Sequence, residues 1–536
     1  MTDEDPNNEE NPEETPEEEG DDPGDGQDGE GEGDGDENEG DGDGNEGDGG
    51  EDEGDGAGEE DNVTTTDGYE HGVYGVLKDS VIASVDEATT ATVAVGTLPV
   101  HLLADYTGLV GAPLPMADST AKSDYGYSTS WDKFTLCEVM QGFLGASSGN
   151  IGGLYCINVL DPSSHKKGTD TTTSLTFADG VAVLDDELAI VSTIAVDGVT
   201  AANTSAAYDW STGKITIKAT GATGAKTVTY RQVDVTAVTT ADFTEAIGAI
   251  DDLYPLYNVV PDLILAPGWS QTPAIYAALV EKAQSVNGHF LGFVLAASTS
   301  AATVEAAIAW KASNGYTSKF SKACWPCVTD LGGDVYHLST LFAREMARKD
   351  ADSDGVPYKS ASNTALTDAG VCLADGTAVK IYDEEGNHLN AYGISTAKAW
   401  GGVVRLWGGH TAGYIYGASG TEASAVFDTN IRMLCHLVNG FQRRWVDEID
   451  QPMTLALRDT ILFSEQGLLD GLVARGALVG NPKIRFSRSS NTDSDIVQGV
   501  FTWDVEATPT PQFKTARAVV AYTTEGFDAY ITEGGE

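Results

Sequence analysis

The sequence predicts an α/β multidomain protein: an α/β core domain interrupted by a small β-sandwich, an α+β C-terminal domain, an extended strand arm at each end, and a disordered acidic N-terminal tail. Three observations predict it. Short apolar runs alternate with helix signals on both sides of residues 161–236. Between them lies a Thr-, Ala- and Gly-rich stretch with strand alternation and repeated turn signals. The first 62 residues carry 31 Asp or Glu and no Lys or Arg. At roughly 100–200 residues per domain, 536 residues suit about three domains. The expected boundaries are a tail over 1–62, an N-terminal arm over 63–92, a core over 93–160 and 237–365, an insert over 161–236, a C-terminal domain over 366–514 and a C-terminal arm over 515–536.

The tail is Glu, Asp, Gly, Asn and Pro with almost nothing apolar. Such a segment cannot bury enough surface to offset its ordering entropy, so disorder is expected. Asp34-Gly35-Asp36 and Asp41-Gly42-Asp43-Gly44-Asn45 resemble calcium loops, but glycine misses the sixth loop position in both, which argues for a solvated acidic tail. Next, Tyr69-Glu70-His71-Gly72-Val73-Tyr74-Gly75-Val76 alternates at strand period without a nearby hairpin partner, as an arm that pairs elsewhere would.

In the core, Leu154–Leu160 reads as a buried strand after a helix over Trp131–Leu144. Asp262–Ala266 is a second strand. A helix should follow, with Thr272 as N-cap, Pro273 at the first helical position and Gly288 past its end. Phe290–Leu295 is the next strand. Apolar strands joined through helices argue for a parallel sheet covered on both faces. The insert shows turns at Ala178-Asp179-Gly180, Val196-Asp197-Gly198 and Ser211-Thr212-Gly213, with strict alternation over Lys214–Lys218, which predicts a sandwich.

Two helices are expected in the C-terminal part. The first places Ile431, Leu434, Cys435, Val438, Phe441 and Trp445 on one face behind Asp428 and Thr429 as cap candidates. The second opens at Gln451-Pro452 and runs to about Leu478. Strand character returns at Ala518–Tyr522 and Phe527–Ile531.

The motifs associated with chemistry are poorly placed for it. Gly145-Ala146-Ser147-Ser148-Gly149 matches G-x-S-x-G, but a helix precedes it and a strand follows, the reverse of a nucleophile elbow. Cys324-Trp325-Pro326-Cys327 lacks the following helix that would stabilise a thiolate, and no second Cys or His pair completes a zinc set; both read as buried strand cysteines. The six cysteines, at 137, 156, 324, 327, 372 and 435, are too sparse for a disulfide scaffold. The eight histidines form no HExxH-type pair, and no P-loop or GxGxxG follows a strand. The reading is therefore no catalytic residues, no cofactor and no metal.

Net charge is −54, of which the tail accounts for −31 and leaves −23 for the remainder. Without clustered Lys or Arg, neither nucleic acid nor an anionic membrane surface is an expected partner. No apolar run reaches the ~18 residues of a membrane span, and the acidic N-terminus is unlike a secretory leader.

Several blocks, in order, resemble the tail sheath proteins of contractile phages, tailocins and related injection systems. They are His71-Gly72-Val73-Tyr74; Asp262–Gly268; Ala343–Asp350 followed by Gly355–Asn363; Trp407-Gly408-Gly409-His410-Thr411; and Ile431–Trp445. Tyr358 and His410 stand where that family usually has Trp and Arg. The resemblance implies a structural subunit that stacks in hexameric rings around an inner tube. It also implies contacts with baseplate and tail terminator proteins, a place in a virion tail assembled in bacterial cytoplasm, and contraction that drives the tube through an envelope. It implies that the terminal arms add strands to neighbouring subunits; the candidate arm residues are Tyr69, His71, Val73, Tyr74, Val519, Val520, Tyr522, Phe527, Tyr530 and Ile531. The family's C-terminal domain lies against the tube, which makes Arg432, His436, Asn439, Gln442 and Arg443 the candidate tube-facing residues, with the second helix as the other choice. Two other classes compete: a secreted or surface calcium-binding adhesin, suggested by the Asp/Gly tail and the β insert, and a thiol oxidoreductase, suggested by Cys324 and Cys327.

Overall fold

The computed structural model describes residues 90–145, 151–366 and 369–530. The acidic tail, the arm residues Tyr69, His71, Val73 and Tyr74, most of the G-x-S-x-G loop, and Ile531 lie outside them.

A nine-stranded sheet organises the chain. Across it, in order, run Ala365–Leu366, Val403–Trp407, Ile394–Trp400, Ser321–Cys324, Phe293–Ala297, Leu263–Leu265, Thr92–Gly96, Leu154–Asn158 and Pro113–Met116. The strands from Ile394–Trp400 to Leu154–Asn158 pair in parallel, and antiparallel strands flank them on both sides. Val93, Ile264 and Val294 are fully buried, as strands of a sheet covered on both faces must be. The helix Leu338–Ala351 lies against three of these strands, and Thr240–Gly248 packs on Pro273–Ala283. Helix starts follow local chemistry: Thr239 and Asp242 form a capping box, Thr303 caps Val304–Ser313, and Pro273 opens its helix behind Thr272.

The chain is thus mixed α/β, with several structural differences from the sequence reading. The strands Ile394–Trp400 and Val403–Trp407 join the large sheet, so the sheet crosses the boundary expected at 365/366. Trp131 and its neighbours form a turn, and the helix begins at Thr135. The Pro273 helix ends at Ala283; Gly288 instead takes a positive φ in the turn joining Val286 to Phe290. The strand expected from Phe290 begins at Phe293. The second C-terminal helix is Leu455–Ala474, capped by Thr454. Leu478 already belongs to the strand Leu478–Arg485, which tolerates Gly480 and Pro482 because its register shifts between Val479 and Lys483. Finally, residues 518–522 form no strand and Glu525–Tyr530 is a 3₁₀ turn. Strand propensity is realised only through pairing, and this segment has no partner strand among the described residues.

Residues 161–236 form two three-stranded antiparallel sheets. One holds Thr171–Phe177, Gly224–Tyr230 and Ala195–Val196; the other holds Val181–Leu184, Lys214–Ala219 and Thr204–Asp209. Phe177, Leu184, Ile215, Ile217 and Val228 bury into one core shared by both sheets. The expected turns all form, with Gly180, Gly198 and Gly213 at positive φ.

The C-terminal unit pairs Leu478–Arg485 with Asp504–Pro509 and packs this hairpin on Leu455–Ala474 and on the long helix Asp428–Trp445. Its own core gathers Met433, Leu469, Leu472, Leu478 and Ile484.

Candidate assembly surfaces

Buried charge fastens the long helix to the α/β core. The fully buried Lys322 donates to Ser395 Oγ (2.9 Å), to the carbonyls of Gly408 (2.9 Å) and His410 (3.1 Å), and pairs with Asp428 at the start of the helix (2.8 Å). One turn on, Arg432 forms a buried ion pair with Asp350. Asp350 also accepts from Thr90 Oγ1 (2.9 Å), and Asp262 accepts from the Ala91 amide (3.0 Å). The point where the chain enters the strand Thr92–Gly96 is therefore tied through Asp350 to the long helix. Isolated charges at these depths would be costly; the ion pairs and hydrogen bonds offset that cost. Burial lifts the Asp262 carboxyl to about 6, against the opposing pull of Arg432.

Farther along, Asn439 clamps the chain before Phe293–Ala297: its side chain donates to the Leu291 carbonyl (2.7 Å) and accepts from the Leu291 amide (2.9 Å). Gln442 donates to the His289 carbonyl (3.1 Å). Then Glu465, buried in Leu455–Ala474, accepts from Arg444 (2.8 Å) and from Trp445 Nε1 (2.7 Å) and locks the two helices together.

The candidate tube-facing residues differ in how far the chain's own core covers them. Arg432 and Asn439 point into the chain's own core, whereas Gln442 is half-buried against His289 and lines an open groove. His436 and Arg443 are half-buried as well. Val438, expected inside, is exposed instead. The helix is rotated so that polar residues with buried partners face the core.

The surfaces left open lie elsewhere. The outer face of Leu455–Ala474 shows Leu455 and Phe463, the latter 84% exposed. Among the described residues the hairpin Leu478–Arg485/Asp504–Pro509 has only two strands, so neither outer edge is paired with a further strand, although the Gln466 side chain meets the Pro482 carbonyl and the Ile484 amide. Beside it, Leu437, Val438, Phe441, Leu469, Trp503 and Val505, with Gln442 and Glu465, line a largely apolar groove of about 320 Å³. Gln512 ties the departing chain down, donating to the Tyr358 carbonyl (3.0 Å) and to Thr429 Oγ1 (2.9 Å). Beyond it Val519 (96% exposed), Val520, Tyr522 and Tyr530 (85%) face solvent, and Phe527 is half-exposed. Contiguous exposed apolar side chains of this kind mark a contact surface.

The sequence reading missed the buried charges Lys322, Asp350, Asp262 and Asp428. One signal was present: Lys322 sits in the short strand Ser321–Cys324 beside the core, where a cation needs a buried partner. The six cysteines are buried and unbridged, and burial raises their thiol pKa values. His410, where an Arg was expected, stacks between Tyr414 (3.7 Å) and Phe427 (5.0 Å) and donates to the Val426 carbonyl (2.7 Å). Burial pushes its pKa down to about 4, so the ring is neutral. Among the described residues, no group of three or more His, Cys, Asp or Glu is arranged to hold a metal, and no helix is long and apolar enough to cross a membrane.

No protein-family model matches the sequence, and no curated protein does. Solved structures do match. A chain of the anti-feeding prophage baseplate superposes with a TM-score of 0.52 at 15% identity, covering 86% of this chain and 100% of that one. A chain of the anti-feeding prophage helical sheath in its contracted state gives 0.50 at 15% identity, with the same coverage. A sheath tail protein from Desulfitobacterium hafniense gives 0.48 at 14%, covering 82% of this chain and 97% of that one. At such identity the likeness is one of fold: the chain is built on the fold found in the contractile helical sheath of the anti-feeding prophage.

Proposed function

We propose that this chain is the structural subunit of a contractile tail sheath, which polymerises around an inner tube and contracts to drive the tube through a cell envelope. The observation that carries the reading is a likeness extending over the whole of an anti-feeding prophage sheath chain. The free apolar C-terminal segment and the two-stranded hairpin with open edges suit it mechanically.

In this reading the arm residues Val519, Val520, Tyr522, Phe527, Tyr530 and Ile531 of one subunit, and Tyr69, His71, Val73 and Tyr74 of another, add strands to a neighbour's hairpin. Backbone pairing would hold the lattice while the domains rotate. Subunits stack as hexameric rings on a baseplate beneath a terminator protein, and assemble in bacterial cytoplasm as part of a tail. The tube-facing surface is the outer face of Leu455–Ala474, where Leu455 and Phe463 stand exposed. The role is structural rather than catalytic.

Negative-stain electron microscopy of the purified full-length chain tests this. Long hollow tubes with regular striations are expected. Monomers that persist after removal of residues 1–62 and addition of tube protein would overturn it.

A further inference from the structure

The strands Cys327–Thr329, Val335–His337 and Gly370–Cys372 form a small antiparallel sheet beside the main one. Its register sets Cys327 directly opposite His337 on one side and Cys372 on the other. Directly opposed residues share a face, so the three side chains stand in one row across the sheet. Opposed Cα atoms in an antiparallel pair lie about 4.5–5.5 Å apart, inside the roughly 4.4–6.8 Å that a disulfide spans. Both thiols are free. The pairing noted in the sequence, Cys324 with Cys327, is not the one the fold provides. Cys324 ends a strand of the large sheet against Ser395, whereas Cys327 opens the small one.

Access comes from a cleft of about 480 Å³ whose lining includes Trp131, Glu138, Trp269, Cys327 and His337. Cys327, 2% exposed, borders this cleft, and Cys372, 1% exposed, stands beside it on the neighbouring strand.

We propose that Cys327 and Cys372 form a cross-strand dithiol, a modification site that low-molecular-weight disulfides oxidise to an intramolecular bridge. The Cys327 thiolate attacks the small disulfide, forming a mixed disulfide and expelling one thiolate. The Cys372 thiolate then attacks Cys327 Sγ, expelling the second. Two cysteine thiols lose two electrons, one small disulfide gains them, and the two cysteine protons end on the two released thiols. Burial pushes the Cys372 thiol up to about 11 and the Cys327 thiol higher still, so the reaction is slow at neutral pH and accelerates as pH rises. The bridge braces the segment containing the helix Leu338–Ala351, and with it Asp350.

The test uses the folded full-length chain and 2-hydroxyethyl disulfide, with free thiols counted after denaturation and bridged peptides mapped by mass under non-reducing conditions. The thiol count should fall from six to four, with one linked peptide joining Cys327 to Cys372. The Cys372→Ser variant should stop at the mixed disulfide on Cys327, and Cys327→Ser should keep all its remaining thiols. A wild-type count that stays at six, or a bridge from Cys327 to Cys324, would overturn the proposal. So would a Cys372→Ser chain that never acquires the mixed disulfide.

Discussion

Arg432 and Asp350 meet in a buried ion pair that joins the first turns of the long helix Asp428–Trp445 to the last turn of Leu338–Ala351. The two residues are 82 positions apart in sequence. Removing one partner strands the other charge in the interior. Arg432→Met should therefore cost roughly 3–5 kcal/mol, and the double variant Arg432→Met/Asp350→Leu distinctly less than the sum of the singles. Urea unfolding of the four chains measures this; strictly additive losses would refute a coupled pair.

Stability should depend on pH with two opposing signs. Asp262 has its pKa raised from 3.8 to about 6, so its contribution is full below pH 3.8 and is lost as pH climbs through 6. Asp262→Asn should flatten that decline. His410 and His101, each lowered from 6.5 to about 4, contribute above pH 6.5 and lose that contribution as pH falls toward 4. His410→Phe, which keeps the stack on Tyr414 and Phe427, should shrink the acid-side loss. Thermal melting across pH 3.5–7.5, a range on the order of these pKa values, reads both limbs.

Truncation after Lys514 removes a segment whose described side chains, over 515–530, are exposed, and keeps the Gln512 anchor. The melting temperature should change little while tube formation is abolished. A shortened chain that still polymerises would argue against the C-terminal arm.

Phe463→Asp sits on the open face of Leu455–Ala474. Self-assembly should survive and co-assembly with tube protein should fail, judged by co-sedimentation. Equal loss of both would mean that this face contacts another sheath subunit.

Deleting residues 1–62 removes 31 negative charges. If mutual repulsion between tails restrains polymerisation, the deletion should speed assembly at low salt and matter less above 0.1 M, where screening acts beyond about 10 Å. Light scattering at two salt concentrations measures the difference, and unchanged rates would dispose of the idea.

Much of the fold was legible because it rests on local rules. The Thr272-Pro273 start, the glycine turns of the insert and the alternation over Lys214–Lys218 are each read within a few residues, and each forms. The facing of the long helix was not legible. A cation such as Arg432 reads as exposed until the distant Asp350 is known to sit beside it. The blocks Ala343–Asp350, Gly355–Asn363, Trp407–Thr411 and Ile431–Trp445 looked separate in sequence, yet they touch in pairs: Ser362 accepts from the Gly408 amide, and Arg432 pairs with Asp350. The terminal segment failed for the opposite reason, since its strand character has no partner strand among the described residues.

The insert leaves and rejoins the body through chains lying side by side. The Lys167 amide donates to the Gln232 carbonyl (2.9 Å) and the Asp234 amide to the His165 carbonyl (2.9 Å). With its two ends zipped together and a core of its own, the module is a natural cassette. Exchanging it for another small domain with adjacent termini would redecorate a particle without rebuilding the machinery beneath.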